Sequence, residues 1–186
     1  FEISTFAAKT DTPGLSGDDK SYMGNFDYNG DRYGFTSGYV VVEDNFNPEI
    51  GFKRRDNFKQ YAGSARFSPR IASSERIRRL VFEAETDSYW SADADQLETR
   101  SHELSFTTEF EEGDRFNVSI SDEFEMLSQP FRIAPDVILQ PGDYDFTSYE
   151  ASYRWGTQRR FSGALSFRGG DFWNGTNTAI GFSSGR

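Results

Sequence analysis

The acids come first, because two carboxylates placed two residues apart on an extended chain share a face and could serve as general acid and base. Glu83 and Glu85 have that spacing, as do Glu123 and Glu125. A glycosidase sets two carboxyl groups about 5–9.5 Å apart on either side of the scissile bond. Neighbours on one strand are instead what any solvated acidic face displays, so no catalytic residue is assigned and the chain is not expected to be an enzyme. No nucleophile elbow, phosphate loop or dinucleotide fingerprint occurs, and Arg168-Gly169-Gly170-Asp171 reads as a loop.

Other chemistry is excluded by composition. The chain has no Cys and one His, His102, which rules out disulfides, thiolate nucleophiles and a His or Cys cluster for a transition metal. Asp11, Asp18, Asp19, Asp93, Asp95, Asp143 and Asp171 supply hard oxygens in connecting segments, but none has the spacing of a defined calcium loop. No metal or cofactor is expected. A net charge of −10 leaves no basic surplus to displace counterions from phosphates, so nucleic acid is not expected as a partner.

Something must position these acids, and the periodicity says what. Of 186 residues only 35% are hydrophobic, yet 17% are aromatic, 19 of them Phe, which is too aromatic for disorder. Helical spacing is absent, while two-residue alternation recurs in ten runs: 1–8, 21–29, 32–42, 58–67, 77–90, 98–111, 115–126, 146–155, 160–168 and 176–182. Connections at 29–31, 68–76, 112–114 and 156–158 read as tight turns, and those at 10–20, 43–57, 91–97, 127–145 and 169–175 as longer polar loops. Short and long connections thus fall at opposite ends of one sheet, as in outer-membrane barrels. The expected fold is all-β: a single-domain, up-and-down antiparallel β-barrel of about ten strands over 1–186, or a fragment of a larger barrel.

Each run has one ring-bearing face and one polar face. The first carries Tyr22, Phe26, Tyr33, Phe35, Tyr61, Phe67, Phe82, Leu104, Phe106, Val118, Ile120, Tyr149, Tyr153, Leu165 and Phe167; Tyr28, Tyr33, Phe110, Phe116, Trp155 and Phe161 fall beside the tight turns, as a membrane-interface girdle would. The second carries Asp27, Arg66, Arg79, Glu83, Glu85, Glu103, Glu109, Glu123, Glu125, Glu150, Arg154 and Arg168. With rings to lipid these twelve line a lumen, either as a cation-preferring or sugar-passing path or as paired charges with water. With rings inward, the same alternation describes a soluble secreted or periplasmic barrel or sandwich acting as a binding module. Trp90, Phe131 and Trp173 are candidates for stacking on a ligand at the loop end. The expected partners are therefore membrane lipid and a small solute or glycan, with the bacterial outer membrane as the location; no stretch approaches the ~18 apolar residues of a spanning helix, which leaves strands as the crossing element.

The loop segments add a resemblance. Asp44-Asn45-Phe46-Asn47-Pro48-Glu49-Ile50-Gly51-Phe52, the run from Ala8 through Lys9-Thr10-Asp11-Thr12-Pro13-Gly14 to Asp19, and Pro141-Gly142-Asp143-Tyr144 resemble a bacterial family of unknown function. Its members look like a family-9-type carbohydrate-binding domain followed by an outer-membrane β-barrel. The resemblance implies that this chain is an internal part of the barrel, with both ends missing; Ser183-Ser184-Gly185-Arg186 is unlike the aromatic-ended last strand of such barrels. It carries over no catalytic residue.

Overall fold

A computed structural model describes residues 1–49 and 55–185, and within them there is no helix. Ten long strands follow one another: β1 (Glu2–Lys9), β2 (Lys20–Asn29), β3 (Tyr33–Val42), β4 (Phe58–Phe67), β5 (Ile77–Ser91), β6 (Leu97–Phe110) and β7 (Arg115–Leu127), then, after a small hairpin of β8 (Phe131–Ala134) and β9 (Val137–Leu139), β10 (Gly142–Trp155), β11 (Ser162–Phe172) and β12 (Gly175–Gly185). All ten form one antiparallel sheet in chain order, and β8 pairs only with β9. The ten runs of alternation correspond to the ten strands. The β8–β9 hairpin, short and set among polar residues, was read as loop.

The sheet is not closed: β1 pairs only with β2 and β12 only with β11. The expected closed barrel is therefore corrected to an open ten-strand meander. Closure requires hydrogen bonds between the first and last strands, and two-residue alternation says nothing about whether those form.

The sorting of connections also needs correction. Tight turns at 30–32 and 111–114 stand at one end, with a wider connection at 68–76 between them. The opposite end carries the long connection 10–19 and the one that leaves β3 after Val42, but β11 and β12 are joined there by Trp173 and Asn174 alone. Gly169 to Gly175, read as a loop, is mostly strand, because Gly169 and Gly170 keep their ladder partners Tyr149 and Ser148. Trp173 takes φ 55° to make that turn. A tight hairpin demands positive φ, which a bulky residue adopts only at a cost of about 1–3 kcal/mol. At the other end Gly113, φ 80°, meets the same demand without strain and donates its N–H to Phe110 O at 3.0 Å.

The sheet has almost no core. Among the described residues only Val41, Val42, Phe46 and Leu139 are buried hydrophobics. The chain exposes 12849 Å², whereas a compact monomer of its 21.2 kDa would expose about 9,100 Å². The ring face contributes to that excess: Leu104 is 60% exposed, Ile120 49%, Leu165 46% and Phe82 44%. Rings there touch their cross-strand neighbours, as in Phe67–Phe82 at 6.2 Å and Phe82–Phe106 at 5.0 Å, and no second layer covers them.

Candidate functional site

Register, not proximity in sequence, assembles the charged face. Side chains of directly opposed residues project to the same side of a sheet, so a row can be followed across strands. One row runs Asp27, Thr36, Ser64, Glu85, Glu103, Ser121, Ser148, each the partner of the next. Toward the tight turns the next runs Arg66, Glu83, Ser105, Ser119, Glu150, Arg168, and the outermost runs Arg79, Glu109, Arg115, Arg154. Glu123 and Glu125 lie on the opposite side of the first row, facing Phe146 and Tyr144 of β10. All twelve charged residues singled out in the sequence thus share one face.

Charge is not evenly spread over it. Near the tight turns, Arg79 grips Glu109 through both nitrogens, Nε to Oε2 and Nη2 to Oε1 at 3.0 Å each, and Arg115 Nη2 donates to the same Oε1 at 2.7 Å. Arg168 Nη2 donates to Glu150 Oε2 at 2.5 Å. Arg66 stands opposite Glu83 but spends its donors elsewhere, on Asn29 Oδ1 at 2.8 Å, Gly30 O at 2.7 Å and Ser68 Oγ. It clamps the turn after β2. Gly34 makes room for it, since a Cβ there would sit 3.0 Å from the guanidinium.

Other acids of this face go unmatched. Among the described residues Asp27, Glu83, Glu85, Glu103, Glu123 and Glu125 form no ion pair; Glu103 accepts only a hydroxyl, from Ser121 at 3.2 Å. Glu85 and Glu103 face each other directly, and like charges so opposed destabilise a strand pair. No group of three or more potential ligands among the described residues is placed to hold a metal ion.

Several cavities open on this face. One of about 360 Å³ is lined by Glu103, Glu123, Glu150 and Arg168 with Phe146 and Phe172. Another of about 340 Å³ lies among Arg66, Arg79, Arg115, Glu83 and Glu109.

The loop-end aromatic candidates divide. Phe131 and Trp173 meet, with ring centroids 5.9 Å apart, and Trp173 also packs on Tyr144 at 5.4 Å and Phe146 at 5.7 Å. The small hairpin and the β11–β12 turn are thereby pinned over the charged face. Trp90 is elsewhere: it lies within β5 on the ring face, opposite Lys59 and Leu97, and so is not a loop residue. Tyr144 and Phe146 were missed as partners of Trp173, although the parity of Glu123 and Glu125 would have placed them beside those acids.

Three further polar clusters carry no signal in the sequence. On the ring face, beyond Leu104 and Ile120, Arg100 Nη2 lies 3.1 Å from Asp122 Oδ1 and 3.6 Å from Asp145 Oδ1, with His102 opposite Asp122. The apolar band therefore ends at that level. At the tight-turn end Arg159 joins Asp114 across two hairpins, and Arg70 joins Asp31 in the same way at 2.7 Å. The Arg70 guanidinium holds the Asp31 carboxyl below the usual carboxylate range.

Fold and face together define an all-β antiparallel meander, apolar on one side and charged on the other. No family model, curated protein or solved structure matches it.

Proposed function

We propose that this chain is part of the wall of an outer-membrane β-barrel, with rings to hydrocarbon and the charged face to a water-filled lumen. There it favours the passage or capture of small polar solutes, cations and glycans among them, without catalysis. The observation that carries the reading is the uncovered ring face. Patches of exposed apolar surface beyond a few hundred Å² are rare on soluble monomers, whereas lipid accepts such a face as it stands.

Three features agree with it. The apolar band extends about 20 Å along β6 from Phe110 to Leu104, and about 26 Å along β3 from Tyr33 to Val41; outer-membrane barrels carry an apolar band roughly 25 Å tall. Arg100, His102 and Asp122 then begin a polar zone at headgroup depth. Rows of ladder groups left free on β1 and β12 fit a wall that continues into further strands, as the resemblance of the loop motifs to a longer barrel implies.

Spin labels at Phe106 and Ser105, neighbours on opposite faces of β6, test it in lipid or detergent. The expected result is oxygen-accessible, lipid-contacting label at 106 and water-contacting label at 105. Exchange of the two environments, or a monomer that stays soluble without detergent, would replace the proposal with a soluble secreted or periplasmic binding module.

A further inference from the structure

The geometry points to the cavity between β6 and β11 as a binding site for organic ammonium ions. It deepens the solute preference proposed above, but it rests on the charged face alone and holds whichever solvent meets the rings.

The cavity of about 360 Å³ combines two kinds of wall. Among the described residues Glu103 and Glu123, which line it, form no ion pair, while the one guanidinium in its lining, Arg168, is already engaged by Glu150 at 2.5 Å. The net field is negative, which disfavours anions and rewards a cation. Phe146 and Phe172, packed edge to face at 6.5 Å, supply the second wall. A π face beside a carboxylate suits a cation carrying carbon: the charge gains from both groups, and the alkyl or aryl body gains from ring contact. A bare inorganic ion would leave the rings unused, and a neutral sugar would leave the two carboxylates without a counter-charge.

The site is held in shape from outside. Trp173 packs on Phe146 at 5.7 Å and on Phe131 at 5.9 Å. It does so from a backbone conformation, φ 55°, that a bulky residue avoids, and such strain persists where surrounding contacts over-determine it. The contact also makes Trp173 a built-in reporter.

The test is titration of the full folded chain with benzyltrimethylammonium, following tryptophan fluorescence, with benzyl alcohol and maltose as neutral comparisons. Saturable binding of the ammonium is expected, with both neutral compounds at least about tenfold weaker. Glu123→Gln and Glu103→Gln should each weaken it about tenfold and Phe172→Leu several-fold, while Glu75→Gln at the far turn leaves it unchanged. Maltose binding as tightly as the ammonium, no saturable binding to a chain whose circular dichroism shows intact sheet, or full affinity in both Gln variants would each overturn the assignment. Spin-label accessibility at 105 and 106 is a separate readout, so loss of the membrane reading leaves this one standing.

Discussion

Arg159, in the turn between β10 and β11, chelates Asp114, in the turn between β6 and β7: Nε meets Oδ1 and Nη2 meets Oδ2, both at 2.8 Å. Asp114 is nearly buried, 3% exposed, and accepts two more bonds, from the Tyr153 hydroxyl and from Gly156 N–H. One carboxylate thus ties together hairpins whose strands touch only through β7 and β10. With so little core, such ties matter more here than in a compact domain.

Asp114→Asn keeps the shape but removes the charge and one arm of the chelate. We expect a loss of about 1–3 kcal/mol, the usual range for a buried acceptor whose charged partner is lost. Urea unfolding followed by tryptophan fluorescence measures it, and a change within 0.5 kcal/mol, the scatter of ordinary surface substitutions, would show the tie to be ornamental.

The same carboxyl sets an acid limit. Burial pushes its pKa up, but the Arg159 guanidinium, the Tyr153 hydroxyl and Gly156 N–H outweigh that and hold it at about 2. The folded state therefore binds fewer protons than the unfolded one between about pH 4 and pH 2, so stability rises with pH across that window. Its contribution is complete above about pH 4 and gone below about pH 2. The stability gap between the native sequence and Asp114→Asn should be flat at neutral pH and close through that interval; a gap that persists at pH 2 contradicts the assignment.

Parity predicts opposite fates for neighbours on β6. Phe106→Arg places a charge on the ring face and should cost about 2–4 kcal/mol of folding in lipid, the penalty at the midplane of a membrane barrel. Ser105→Arg, on the charged face among Glu83 and Ser119, should cost little. Equal effects in vesicle-folding titrations would remove the distinction between faces on which the proposed function stands.

Glu85 and Glu103 offer a stabilising change. Glu85→Gln ends a direct like-charge opposition and should raise stability by a few tenths of a kcal/mol, up to about 1. In a channel measurement on the lipid-folded protein it should also lower the preference for cations over anions. A loss of stability would mean that the pair holds something together that the bare chain does not contain.

The strands were legible because their alternation runs long, with register shifts only near the ends of β5, and because the two faces differ so sharply in chemistry. Apart from Tyr144 and Phe146, which share the charged face with Glu125 and Glu123, the rings singled out from Tyr22 to Phe167 keep parity, and the position of each charged residue followed from it. What could not be read were relations between turns. Arg159 finds Asp114 only because β7 and β10 lie side by side, and nothing near either residue announces the other. The β11–β12 turn was misread for a different reason: Gly169-Gly170 signals a break, whereas in the sheet Gly169 is the residue that lets Tyr149 lie close, its Cβ position 2.9 Å from the Tyr149 hydroxyl. Trp173 carries the actual turn, and tryptophan is among the last residues one expects at positive φ.

The meander order has a kinetic side. Every ladder joins strands adjacent in the chain, save β7 to β10, which skip only a small hairpin. Low contact order of this kind lets structure spread strand by strand from any hairpin that forms first, without the loop-closure entropy of pairing distant segments. In this chain folded by itself β1 and β12, each held on one side, become the last to zip and the first to fray, so amide protons should exchange fastest there and slowest in β5, β6 and β7.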